Sequence, residues 1–288
     1  MTLRRIDGMR ELAPDYDAFI LDLWGVVHDG TAPFPGVLDC MGRLIAAGKR
    51  VVLLSNAPRR SDDVVRRIAA IGVPAGLYHG VMSSGEEAWQ YLARRDDPFY
   101  AGLGRRALHI GSERDLEIRE GLGLDFVETA AEADFVLNTG PAEWEDTIAD
   151  YAPVLSAARE RNLPMVCANP DLVVIHGGRP ALCAGALAEE YERLGGRVRW
   201  HGKPHASVYD SCLALLGIAE RRRILAIGDS LRTDIAGAAA AGIDALLIAG
   251  GVHAGEFTVD GALDLERIAT AIRESGTSPI GVAARFVW

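Results

Sequence analysis

Apolar residues along this chain come in short unbroken runs, and three of those runs end on polar residues of a chemically useful kind. Residues 19–21 run into Asp22-Leu23-Trp24-Gly25-Val26, residues 51–54 into Ser55-Asn56, and residues 224–227 into Gly228-Asp229-Ser230-Leu231-Arg232-Thr233-Asp234. Runs without apolar–polar alternation predict strands covered on both faces, as in a parallel sheet. Between the first two, residues 37–47 carry apolar side chains at helical spacing and stop at Gly48, which completes a β-α-β unit. Ser61 is placed to cap a helix with the stripe Val64, Val65, Ile68 and Ile71, closed by Gly72.

A second α/β series follows, with helices over 85–95 and 152–161 and strands over 107–110, 134–137 and 165–168. The strand before Asp229 has to return to the strand before Asp22, so the middle of the chain is an insertion. The expected organisation is core over 1–81, an α/β insertion over 82–198, and core again over 199–288. The returning core is predicted to hold helices over 207–216 and 233–241, stopped by Gly217 and Gly242, and a strand over 245–248.

In an open parallel sheet, ligands bind beyond the carboxyl ends of the strands, so Asp22, Ser55, Asn56 and Asp229 are expected in one crevice. A carboxylate at Asp22, before a glycine that lets the backbone turn, can attack phosphorus. Two anions meet in such a step, so charge must be neutralised. Asp229 can hold Mg²⁺ jointly with Asp22 and a main-chain carbonyl, and Asp234 can orient a metal-bound water. Ser55 and Asn56 offer neutral donors to phosphoryl oxygens, and Lys203 of Gly202-Lys203-Pro204 offers a positive charge. Asp171 and His176 follow a strand of the insertion and are candidates for the non-phosphate part of a substrate.

Charge narrows the substrate class. The net charge of −10 and the lack of a Lys or Arg run argue against nucleic acid and favour a small phosphorylated molecule held by a few local cations. The longest apolar stretches are too short to span a membrane, and the first seven residues lack the apolar centre of a signal peptide. Cys40, Cys167, Cys183 and Cys212 lack metal or redox spacing, so reduced, buried thiols in a cytoplasmic protein are expected. A homodimer is left open.

The motifs together resemble the haloacid dehalogenase superfamily, and within it the class IIA hydrolases, which include nucleotide, sugar-phosphate and p-nitrophenyl phosphatases. The resemblance rests on Asp22-Leu23-Trp24-Gly25-Val26, Leu54-Ser55-Asn56, Gly202-Lys203-Pro204 and Gly228-Asp229-Ser230 with Thr233-Asp234. Asn169-Pro170-Asp171 and Cys183-Ala184-Gly185-Ala186-Leu187 add to it in the insertion. It implies a Rossmann-like α/β core with an inserted α/β cap. It also implies a Mg²⁺-dependent phosphatase with Asp22 as nucleophile, Asp22, the Trp24 carbonyl and Asp229 on the metal, and Ser55, Asn56 and Lys203 on phosphate.

Trp24 departs from that pattern, since family phosphatases carry a second Asp there as general acid and base. An indole has a weak N–H donor and no basic nitrogen, so it can do neither job. His28 is a candidate replacement because it titrates in the useful range. Two other answers stand beside it: a substrate with a good leaving group, or a protein that binds a phosphorylated ligand with little turnover.

Overall fold

The structure is a computed structural model that describes residues 3–176, 178–251, 254–259 and 262–288. The chain divides into two compact units, one formed by Met1–Ser55, Asp62–Met82 and Lys203–Trp288, the other by Asn56–Ser61 and Ser83–Gly202.

The first unit is built on a seven-stranded sheet in the order Arg5–Ile6, Gly281–Ala283, Asp244–Ile248, Ile224–Gly228, Ala18–Asp22, Arg50–Ser55, Gly80–Ser83. Every pairing from Arg5–Ile6 across to Arg50–Ser55 is parallel. The central strand Ala18–Asp22 is buried along its whole length, which explains its unbroken apolar run. Below it pack Val52, Leu54, Ala226 and Leu247 with Val208, Tyr209 and Cys212 of the helix Ala206–Leu216. The helices Val37–Ala46 and Ser61–Ala70 lie where their apolar spacing predicts them. The helix expected over 233–241 is instead a π-helical turn, Leu231–Ile235, continued by a short α-helix, Ala236–Ala240.

The inserted unit has its own five-stranded parallel sheet, ordered Arg197–Trp200, Pro164–Cys167, Phe135–Asn138, Arg106–Ile110, Asp125–Val127. Side chains alternate across it. Leu108, Val136, Met165 and Cys167 face one cluster with Leu155 and Leu187, while Ala107, Phe135, Leu137 and Val166 face another with Ala88, Leu92 and Tyr100. The helix expected over 152–161 begins earlier, at Ile148–Glu160, where Thr147 and Asp150 form a capping box that satisfies the first-turn amides. An antiparallel hairpin, Val173–His176 with Arg179–Leu182, follows Asp171.

Among the described residues, no helix is long and apolar enough to cross a membrane. All four cysteines are buried and none is in a disulfide.

Candidate active site

Register brings the acidic residues of the first unit together. Asp22 is level with Leu54, and Leu21 is level with Ile227, so Asp22 and Asp229 leave adjacent parallel strands within one residue of the same height. Asp234 returns to them because Gly228 has no side chain; a Cβ at Gly228 would overlap the Asp234 side chain. The Oδ2 of Asp234 accepts the Ser230 amide at 3.2 Å, which fixes the turn. As a result, Asp22, Asp229 and Asp234 each offer a carboxylate oxygen within 4.8 Å of the others, and all three are buried.

Three buried carboxylates this close repel one another, and Lys203 answers them. Its ammonium donates to Asp22 Oδ1 and, at 2.7 Å, to Asp234 Oδ1, with the side chain almost fully enclosed. Burial works against the Lys203 charge, but Asp22 and Asp234 more than compensate and hold it well above the ordinary lysine range. For Asp22, burial raises the carboxyl well above its usual range and Asp234 and Asp229 add to that, against the pull of Lys203. The donor set is all oxygen and strongly anionic, which fits a hard divalent cation such as Mg²⁺.

The loop after Asp22 turns tightly. The amides of Val27 and His28 both donate to the Leu23 carbonyl, at 2.9 and 3.0 Å, and Gly25 sits in the left-handed region at φ 92°. Trp24 is 41% exposed and lies over Gly30, where a Cβ would come within 2.6 Å of the indole ring. His28 is buried and packs edge-on against Trp24, with ring centroids 5.9 Å apart. Its Nδ1 accepts the Gly30 amide at 2.9 Å, so the neutral ring carries its proton on Nε2. Burial lowers its pKa, only partly opposed by Asp29. Held this way, the ring has no basic nitrogen to offer, and the proton-shuttling role expected for His28 does not fit this arrangement.

Ser55 ends the strand beside Asp22. In the other unit, Asn56 Nδ2 donates to Asp171 Oδ1 at 2.9 Å, so these two candidates are partners of one another. His176 lies exposed on the hairpin, its ring stacked on Trp144 at 3.9 Å and 11° with the Arg114 guanidinium on the indole at 4.0 Å. Trp144 and His176 line an open cavity of about 730 Å³ together with Ile148, Val173 and Arg179. Periodicity and motif spacing carried no sign of a buried polar cluster in the same unit. There Glu87 accepts the Gly202 amide at 2.8 Å and lies 3.3 Å from His201 Nδ1, while Tyr100 meets His201 Nε2. His201 is thus buried.

A β-strand that ends in a buried Asp, an adjacent strand followed by Asp229, and a lysine bonded to Asp22 and Asp234 are the arrangement of a haloacid dehalogenase-like hydrolase core. Family comparison agrees: residues 19–125 match the haloacid dehalogenase-like hydrolase model, and residues 200–274 match a second model of the same kind. A solved haloacid dehalogenase-like hydrolase from Brucella suis 1330 is 38% identical, covers 98% of this chain and 100% of its own, and superposes with a TM-score of 0.84. The chain belongs to the haloacid dehalogenase-like hydrolases, in the class IIA branch.

Two further relatives carry activities in their names. The ribonucleotide monophosphatase NagD of Escherichia coli K12 is 27% identical over 81% of this chain and 87% of its own length. The glycerol phosphate phosphatase of Mycobacterium tuberculosis, solved in complex with calcium, is 26% identical over 84% of this chain and 68% of its own, with a TM-score of 0.66. This chain is accordingly a phosphatase-type hydrolase of a family that acts on small phosphorylated molecules.

Proposed function

We propose that the protein is a Mg²⁺-dependent phosphohydrolase that cleaves a small phosphorylated metabolite through an aspartyl-phosphate on Asp22, with no general acid at position 24. The observation that carries this reading is the Lys203 ammonium clamped between Asp22 and Asp234 beside Asp229, at the carboxyl ends of adjacent strands. In the first step an Asp22 carboxylate oxygen attacks phosphorus, and the ester P–O bond breaks with its electron pair leaving on the departing oxygen. Water then attacks phosphorus, the bond to Asp22 breaks, and the carboxylate is regenerated with inorganic phosphate and a proton released. Asp22, Asp229, Asp234 and the Trp24 carbonyl would hold Mg²⁺, which when bound neutralises charge on the phosphoryl oxygens. Lys203 would hold Asp22 in line and meet a phosphoryl oxygen, while Ser55 and Asn56 would supply neutral donors. Asp171 and His176 would contact the remainder of the substrate. The buried, disulfide-free cysteines suit a cytoplasmic setting.

With Trp24 unable to protonate the leaving oxygen and His28 Nδ1 occupied, the reaction depends on the leaving group itself. Aryl and acyl phosphates should therefore react far faster than alkyl phosphates, by roughly the 10²- to 10⁴-fold that a general acid contributes. Trp24→Asp should flatten that dependence. The test is kcat/KM against leaving-group pKa for a phosphate ester series, parent and variant, with Mg²⁺ and with folding checked by circular dichroism. A flat dependence in the parent removes the missing-acid argument. The same two features at Trp24 and His28 favour a second reading, a phospho-ligand sensor. Binding of phosphorylated ligands with no cleavage by either parent or folded Trp24→Asp selects it.

A further inference from the structure

Beside the acidic cluster, among the described residues, Tyr209 is a buried titratable group to which the proposed reaction gives no task. It lies on the helix Ala206–Leu216, is 1% exposed, and would fill the same space as a phenylalanine. A buried hydroxyl costs stability unless it bonds, so its partner matters. That partner is the main-chain carbonyl of Asp234, which accepts from the Tyr209 hydroxyl at 3.0 Å. Asp234 sits in the π-helical turn Leu231–Ile235, an uncommon conformation that recurs at functional sites.

The surroundings keep the ring in one place. Gly237, just after the turn, leaves room for it: a Cβ there would lie 2.7 Å from the Tyr209 ring edge, 2.9 Å from its hydroxyl and 2.9 Å from Pro204 Cα. Pro204 directly succeeds Lys203, and Lys203 in turn donates to the Asp234 carboxylate at 2.7 Å. The ring edge and the backbone that follows Lys203 thus both lie against Gly237, next to the turn that carries Asp234.

We infer that Tyr209 is a positioning residue for the metal–lysine site: its hydroxyl fixes the backbone of Asp234, and through it the carboxylate that faces Lys203, Asp22 and Asp229. The inference rests on the proposed metal site. A group that orients a metal ligand typically contributes 10- to 100-fold to metal affinity, and Tyr209 acts on the ligand's backbone, at the lower end of that range.

The experiment is Mg²⁺ titration of parent, Tyr209→Phe and Gly237→Ala by calorimetry without substrate, paired with kcat and KM for 4-nitrophenyl phosphate over a range of Mg²⁺. Tyr209→Phe should weaken Mg²⁺ binding by about 10-fold. Its kcat should return to near the parent value at saturating Mg²⁺, with KM for the ester unchanged. Gly237→Ala, which keeps the tyrosine but crowds both its ring edge and its hydroxyl away from the turn, should weaken Mg²⁺ binding in the same way. In a cycle with Asp234→Asn, the Tyr209→Phe effect should largely vanish, because Tyr209 acts through Asp234. A Tyr209→Phe variant that melts lower yet binds Mg²⁺ like the parent overturns the inference and leaves Tyr209 a packing residue. A parent that binds no Mg²⁺ overturns the metal reading and the inference with it, an outcome set apart by the parent's own titration.

Discussion

Lys203→Met removes one charge and leaves a side chain of similar length, so its cost is electrostatic and can be sized from the site. Lys203 is the cation that faces Asp22 and Asp234, and those two lie within 4.8 Å of each other and of Asp229. At an effective dielectric constant of about 20, two full charges at that separation repel by about 3.5 kcal/mol. Part of that is relieved because Asp22 titrates well above its usual range, so the net loss is set by the uncompensated charge rather than by the full sum. Removing one partner of a buried ion pair costs about 3–5 kcal/mol, and that is the destabilisation expected in EDTA. Mg²⁺ should reverse much of it: a ligand at 100 times its dissociation constant contributes about 2.7 kcal/mol, and in the variant it also takes over the charge balance. The assay is urea unfolding of parent and Lys203→Met, each in EDTA and in saturating Mg²⁺, monitored by circular dichroism. The reasoning fails if Lys203→Met unfolds at the parent's urea concentration in EDTA, or if Mg²⁺ stabilises it no more than the parent.

Gly228→Ala should destabilise the protein by about 1–3 kcal/mol, because the new methyl group occupies the place of the Asp234 side chain. It should also weaken Mg²⁺ binding by displacing that carboxylate, and a calorimetric titration equal to the parent's would show the close approach to be unnecessary. A third prediction concerns pH and the inserted unit, where burial, helped by Arg119, lowers the His109 pKa to about 4. The unfolded ring takes up its proton near pH 6.5 and the folded ring only near 4, so the unfolded state binds more protons between them and stability falls as pH falls through that window. The loss by pH 4 is about 2–3 kcal/mol. His109→Gln, which can still bond Thr139 Oγ1, should flatten the acid side of the stability profile; the slope is read from urea midpoints between pH 7 and 4.

The strands and the residues that end them were legible because burial on both faces leaves a local signature, and Asp22, Ser55 and Asp229 sit where that signature stops. Helix starts were less legible. The helix Ile148–Glu160 begins at a polar capping box that the apolar stripe does not contain, and Leu231–Ile235 keeps helical spacing while its hydrogen bonds are those of a π turn. Partnerships between distant residues left no trace in periodicity at all. Asn56 and Asp171 are 115 residues apart, Lys203 and Asp22 are 181 apart, and each pair is made by tertiary folding rather than by neighbouring sequence. His28 was readable as a titratable side chain, but the amide that occupies its Nδ1 belongs to a turn whose geometry depends on Gly30.

That turn bears on the proposed lack of a general acid at position 24. The indole lies over Gly30, which adopts φ 93° and has no room for a Cβ beneath the ring, and the same glycine supplies the amide that holds His28. Trp24, His28 and Gly30 are therefore one packed arrangement. A carboxylate at position 24 would introduce a proton donor, but it would remove the indole that lies against His28 and Gly30. Introducing an acid there thus costs loop order, and a gain confined to poor leaving groups is the signature that separates the acid's chemistry from a general change in the loop. In the proposed reaction, with Trp24 in place, neutralising the phosphoryl oxygens would fall to Lys203 and the proposed metal site. This is why the acidic cluster and its lysine, rather than the loop, carry the functional reading.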